Sequence, residues 1–529
     1  MIKRMPAVRS SDGIGKIQQV QFGGYWHTPA AQDGEIYDME NMSGRDFPLL
    51  STRHPRWRLI NSQYENRGIY AHDGIYCVSR NRLYKDGERK GEVKNLEERR
   101  QFVSIGAYII ILPDMMYYNR LTDEIGDLSA TWTGAVEFRD GEYAGVAAKG
   151  NTMVTTGDAF PFRAGDAVTI SGSGENDKSI IIREVSEDGK TLVFYENSFV
   201  NGGGDAVTVS REVPALRFAC ENENRLWGCD GDTIYASKPG DPFNFNVFDG
   251  LSTDSYAVTV GSAGDFTGCI SFMGYPCFFK ENQIYKVYGS KPSDFQVMGS
   301  ASLGVAEGSH ASLAVAGEVL YYLSRVGIVA YAGGIPQSVA EAFGGVRYRD
   351  AVGGSDGVRY YVSMLDEDGK AHLFCYDTDK RMWHREDGIY AVGFAYHKDR
   401  LLMADRRNVY QMGNGEKENP EGTLMANSDL ALKSFVEFGD FVEGSPNRKG
   451  TAKLQMRVEL EAGATLTVKM MFDSDGEWRH VAELTTEKKR SYYLPIIPRR
   501  CDHFRIRLEG VGEWRLYSLT REHYSGSEI

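Results

Sequence analysis

The chain has 529 residues, a formal charge of -13, 42% hydrophobic and 25% charged residues. That length calls for roughly two to four domains, and the acid excess excludes a nucleic-acid clamp, which needs Lys and Arg in surplus to displace counterions. The longest apolar run, "AYIIILP" at residues 107–113, is far too short to span a bilayer as a helix.

Abundant glycine (59), tyrosine (30) and phenylalanine (25) point to many short strands joined by tight turns. Seven cysteines, an odd number with no CxxC pair, fit a reducing compartment and free buried thiols. The start, "MIKRMPAVRSSDGIG", is basic but has no apolar h-region behind it, so a soluble protein made in the cytoplasm without a signal peptide is expected.

Residues 33–56, "DGEIYDMENMSGRDFPLLSTRHPR", show neither a helical period nor clean alternation, and they mix both signs of charge with aromatics. Residues 1–60 are therefore expected to be an arm ordered by packing on its own chain or on a neighbouring subunit.

From residue 61 a pattern recurs: an apolar strand, a tight turn, a second apolar strand, then a short stretch ending in an aromatic. Residues 67–88, 217–245, 268–289, 311–334 and 388–413 carry it, and 101–119 and 357–383 are looser copies. "DGDTIYAS", "KENQIYKV", "SRVGIVAY" and "DRRNVYQM" hold equivalent places. The spacing of roughly 30 to 50 residues is that of four-stranded propeller blades, which bury their faces only by stacking around an axis. The expected fold is all-β: a six- or seven-bladed β-propeller over 61–131 and 217–412.

Residues 132–216 break the pattern. "DAVTIS", "SIIIREV" and "TLVFYE" are separated by Gly-containing turns, as in a small β-barrel inserted into the propeller. A polar, glycine-rich link at 412–429 leads to 430–529, where "HFRIRLE" alternates: Phe504, Ile506 and Leu508 on one face, Arg505, Arg507 and Glu509 on the other. That predicts a C-terminal β-sandwich.

The chemistry reads as non-enzymatic. A propeller glycosidase of the sialidase type needs an arginine cluster, an acid and a tyrosine nucleophile. Its accompanying S-x-D-x-G-x-x-W turn has one poor match, "YDTDKRMW" at 376–383. The acidic runs "LDEDGK", "SEDGK" and "DSDGEW" lie between strands and lack a bidentate glutamate, so they read as hairpin turns rather than calcium loops. His27, His54 and His310 read as loop residues. No catalytic residue, metal site or cofactor is expected.

Two aromatic stretches, "QFGGYWHTPA" (21–30) and "PGDPFNFNVFDG" (239–250), read either as loops folded over a blade edge or as subunit contacts. With the arm they give Trp26, Phe47, Arg53, Arg56, Phe243, Phe245 and Phe248 as candidate interface residues. Trp478 and Trp514, each in an E-W-R context, are candidates for stacking on a glycan or for core positions at strand starts.

The opening "FGG" with residues 33–56, followed by "NRLWGCDGDTIYASKPGDPFNF", resembles virion proteins of tailed bacteriophages, in particular the tail nozzle and packaged-DNA stabilisation proteins of short-tailed phages. Arg225, Leu226, Trp227, Tyr235, Ser237, Gly240, Asp241, Pro242 and Phe245 match that family's blade signature, and the likeness covers most of residues 20–412 in pattern. It implies a structural virion protein that assembles with itself as a ring, a hexamer, in the tail. Viral DNA would pass through the ring without specific binding, and other tail or adaptor proteins would attach to it, with no membrane insertion. The inserted barrel and the sandwich depart from the family. A tail or baseplate component binding a host surface glycan through either of them is the alternative.

Overall fold

The computed structural model describes residues 15–28, 35–413, 424–425, 429, 431–443, 448–497 and 499–525. It is an all-β structure in two compact units, residues 72–310 and residues 1–71 with 311–529.

The unit 72–310 is built from antiparallel meanders. One runs Gln101–Ile105, Tyr108–Leu112, Met116–Asn119, Ile125–Asp127; another Phe218–Asn222, Arg225–Asp230, Thr233–Ala236, Tyr256–Thr259; a third Gly268–Phe272, Tyr275–Lys280, Gln283–Tyr288, Gln296–Ala301. The turns are local chemistry. Glu223 and Asn224 both take positive φ (49° and 58°), the two-residue turn whose twist matches that of the strands it joins. Each meander is apolar on both faces, so it needs a neighbour on each side. First strands touch in series, Gln101–Ile105 against Phe218–Asn222 and that strand against Gly268–Phe272. Phe218, Trp227, Ile234, Phe266 and Phe278 fill the gap between the second and third meanders.

Residues 130–211 form a seven-stranded sheet. Its first and last strands in sequence, Ala130–Tyr143 and Gly202–Arg211, pair antiparallel from Ala130↔Arg211 to Phe138↔Gly202, so the chain enters and leaves at one place. The sheet encloses a core of its own, including Phe138, Met153, Phe160, Phe194 and Val209.

The other unit repeats the meander. Ala314–Ala316 to Gln337–Ser338 and Arg349–Ser355 to Met382–Arg385 are four-stranded. A third has Gly393–His397, Arg400–Ala404 and Asn408–Gln411, and its fourth strand is Trp57–Asn61, from the other end of the sequence. Many four-stranded antiparallel sheets with their first strands in series are consistent with a β-propeller.

The same unit contains two further sheets packed face to face. One orders Met42–Ser43, Leu50–Thr52, Trp514–Ser525, Lys449–Leu460 and Arg490–Leu494, with Gly15–Gln19 also on Trp514–Ser525. The other orders Ile36–Glu40, Lys433–Phe438, Phe504–Val511, Thr465–Phe472 and Arg479–Leu484. Phe504, Ile506 and Leu508 are buried, and Arg505, Arg507 and Glu509 partly exposed, as the alternation requires.

The arm is thus a set of strands. Residues 15–52 supply strands to both of these sheets, and 57–61 completes a meander. Where the segment runs beside Met382–Arg385, Tyr25 N–H donates to the Trp383 carbonyl (2.6 Å). At Gly44 a Cβ would lie 2.5 Å from the His384 ring, so only glycine fits there without displacement.

If the arm is part of this unit's own core, truncating fully buried Met39 will act on an isolated subunit. Met39→Ala is expected to cost about 2–5 kcal/mol by denaturant unfolding, equally at high and low protein concentration. A loss that grows on dilution would instead place the arm's partner on another subunit.

Candidate functional site

A buried set of charged side chains in the unit 1–71/311–529 lies where the arm turns from the stacked sheets into strand Trp57–Asn61. Arg53 and Arg56 lie 3% and 1% exposed. Arg53 forks onto Asp429, Nη1 to Oδ2 and Nη2 to Oδ1 at 2.8 Å each, and its Nε donates to Asn41 Oδ1 at 2.7 Å. Arg56 divides its fork between Asp387 Oδ2 (2.6 Å) and Glu386 Oε2 (2.5 Å), and its backbone N–H donates to Asp429 Oδ2 (2.7 Å). Two guanidiniums thus meet three carboxylates away from water, the geometry in which charge-assisted bonds are strongest.

Electrostatics follow from that packing. Burial alone would raise the Asp429 pKa, but the hydrogen bonds and charges of Arg53, with the Arg56 charge, hold it below the usual carboxylate range. Burial would likewise favour a neutral Arg56, and Asp387, Glu386 and Asp429 override it, so its pKa lies above the ordinary value. The neighbouring His384 goes the other way: burial, with the charges of Lys380 and Arg359, pulls its imidazole down to about 4 against the opposing charge of Asp377.

Arg53 and Arg56, expected at a subunit interface, are therefore corrected to buried junction residues of their own chain. Phe243 and Phe245 need the same correction, at 4% and 1% exposed. Phe243 lies edge-on to Tyr108 and Tyr117, with the guanidiniums of Arg163 and Arg211 within 4.9 Å of its ring centre. Trp514 is 1% exposed and its Nε1 donates to Ser434 Oγ at 2.9 Å across the stacked sheets, which leaves no ring face for a sugar. Trp26, Phe47 and Trp478 are half-buried, and Phe248, at 62% exposed, is open to solvent.

Phe248 rides on a tightly held loop. Arg225, buried, donates to the carbonyls of Ser237 (2.8 Å), Asp254 (2.6 Å) and Ser252 (2.8 Å). Ser237 Oγ accepts the Leu226 N–H, and Gly240, at φ +72°, gives its N–H to the Asn224 carbonyl. Asp254 Oδ2 takes the N–H groups of Gly250 and Leu251. These bonds fix a base from which Phe248 and Leu251 (59% exposed) project.

The acidic runs close hairpins. Asp366 Oδ1 accepts Lys370 N–H at 2.8 Å, Asp188 Oδ1 accepts Lys190 N–H at 3.0 Å, and Asp377 Oδ1 accepts Lys380 N–H at 3.1 Å. Asp473, Asp502 and His503 bring ligand atoms within 4.8 Å of one another, the one such group among the described residues. Both His503 ring nitrogens are engaged there, by Asp502 and by Ser474 Oγ.

No protein-family model matches the chain, and no curated protein does. Solved structures resemble it distantly. BamB from Moraxella catarrhalis is 14% identical, with 70% of this chain and 99% of that one covered, at a TM-score of 0.32. The RRP9 WD40 repeats are 6% identical, with 68% and 97% covered, at 0.32. U3-55K is 8% identical, with 68% and 98% covered, at 0.29.

Two measurements check the junction. Asp429→Ala leaves the buried Arg53 guanidinium and the Arg56 backbone N–H short of an acceptor and is expected to cost about 3–5 kcal/mol of stability; Asp475→Asn, at an exposed Arg479 pair, is expected to cost far less. His384 sets a pH dependence. The unfolded imidazole protonates near 6.5 and the folded one near 4, so its contribution is full above about pH 6.5 and is lost as pH falls from there towards 4. Denaturation midpoints measured across that window should fall less steeply in His384→Gln than in the parent.

Proposed function

We propose that this chain is a structural protein of a tailed-bacteriophage virion, forming a ring in the tail through which the genome leaves. In this reading the meanders are blades of one six- or seven-bladed propeller, residues 132–216 are an inserted barrel, and the stacked sheets are a C-terminal sandwich completed by the arm. The propeller supplies a rigid wall. The acid excess suits a channel from which DNA must depart rather than adhere. The ring would attach to other tail or adaptor proteins.

The observation that carries the proposal is the physical role of the residues whose pattern resembles that of phage tail proteins. Arg225, Gly240 and Asp241 hold the backbone of the loop 239–255 directly, and Leu226 bonds Ser237, just before the loop. A buried arginine spent on three carbonyls, with no carboxylate within ion-pair distance among the described residues, makes sense if the loop must hold one shape. A loop held in one shape while presenting an exposed phenylalanine and leucine is suited to an interface, because it loses little entropy on docking.

Native mass and negative-stain imaging test this directly. The parent is expected as a ring of several subunits with a hole wide enough for duplex DNA. Phe248→Glu is expected to give monomers or open fragments with an unchanged thermal midpoint, since the side chain is already in solvent. A parent that stays monomeric at high concentration, or a ring indifferent to Phe248→Glu, would count against the interface.

A further inference from the structure

A cleft of about 400 Å³ in the unit 1–71/311–529 lies between the meander 349–385 and the meander 393–411, with Arg45 and His54 of the arm on its wall. Arg359 is already compensated, by Asp356 at 3.4 Å and Asp377 at 3.5 Å. Two other arginines differ. Arg45 gives its Nη2 to the Gly413 carbonyl and, among the described residues, has no carboxylate within 4 Å; Arg400, exposed, has none either. Beside them Asp399 lacks a cation within 4 Å among the described residues and receives only a long bond from the Tyr396 hydroxyl (3.4 Å). The Tyr396 ring is 49% exposed.

Uncompensated cations and an uncompensated acceptor lining one cleft select for a ligand with both an anion and O–H donors. Guanidiniums match a carboxylate fork-to-fork, an ionised aspartate can only accept, and so suits hydroxyls, and a half-exposed tyrosine ring offers an apolar face to C–H groups. A neutral sugar leaves the arginines unmatched. A phosphate alone offers no C–H face for the Tyr396 ring. The volume falls in the range of small-ligand sites.

We propose that this cleft binds a carboxylate-bearing saccharide, such as a uronate or sialate unit of a surface polysaccharide. The carboxylate would lie at Arg400 and Arg45, a hydroxyl at Asp399 and the ring against Tyr396. The proposal goes beyond the ring-forming reading and does not depend on it, since none of these residues lies on loop 239–255. It also differs from glycan stacking at Trp478 or Trp514.

Saturation-transfer NMR on the full chain tests it, using glucuronate-, galacturonate- and sialate-terminated oligosaccharides, maltotetraose as the neutral control and inorganic phosphate as competitor. At least one acidic saccharide is expected to bind at millimolar concentration or below, at least tenfold more tightly than maltotetraose. Arg400→Ala and Tyr396→Ala, both at exposed positions, should each weaken it about tenfold with the thermal midpoint unchanged. Equal binding of maltotetraose, indifference to Arg400→Ala, displacement by phosphate at comparable affinity, or no transfer from any acidic saccharide would overturn it. The ring assay on the same preparation separates this outcome from failure of the interface.

Discussion

The constraint on which the unit 1–71/311–529 depends is the desolvation of Arg53, Arg56, Glu386, Asp387 and Asp429. Taking charges out of water costs several kcal/mol each, and that cost is offset only when geometry is near ideal and the remaining polar atoms find partners. Here the partners come from three places in the sequence: the arm, the end of strand Met382–Arg385, and Asp429 after the link. Asp429 is satisfied by both Arg53 and the Arg56 backbone. None of the five can be buried alone, so this corner orders only when all three segments have arrived.

That coupling extends outward. The meander 393–411 lacks its fourth strand until 57–61 returns to it, and the stacked sheets lack strands until 15–52 is in place. A stretch of fewer than fifty residues thereby ties two layers of β-structure together, through partners hundreds of residues away. Contacts of such sequence separation are formed late and at high loop-closure entropy, but once made they leave the arm no cheap way to detach.

Much of the strand content was legible because it is local. The recurring turns, the apolar strands and the alternation through residues 504–509 need only near neighbours. The arm was opaque for a specific reason. Its inward residues are Ile36 and Met39, three apart, because the register shifts between Ile36 and Asp38, and a bulge erases the two-residue period that marks a strand. Glu386, Asp387 and Asp429 gave no signal, since their meaning lies in arginines about 330 to 375 positions away. Phe243 and Phe245 are another matter. The structure buries Phe243, Asn244 and Phe245 in succession, then Val247, with Phe248 left outside. Two preceding prolines made the stretch look like open loop, and no two-residue period of burial marks it.

This distinction bears on how the surface should be weighed. Aromatic and arginine residues are favoured in interface cores, but the same residues are favoured wherever a chain must bind its own backbone. Arg225, Arg53 and Arg56 have been used that way, as buried internal fasteners. What they leave available is different in kind: a fixed loop carrying Phe248 and Leu251, and a cleft where Arg45 and Arg400 keep their charge unmatched. A side chain whose bonding capacity is already met within the chain gains little from a partner, whereas an exposed ring on an immobile base, or an unmatched cation beside an unmatched acceptor, still has free energy to give. The arginines that reach outward are thus those the fold has not already enlisted, and function is better sought at them than at the more conspicuous buried ones.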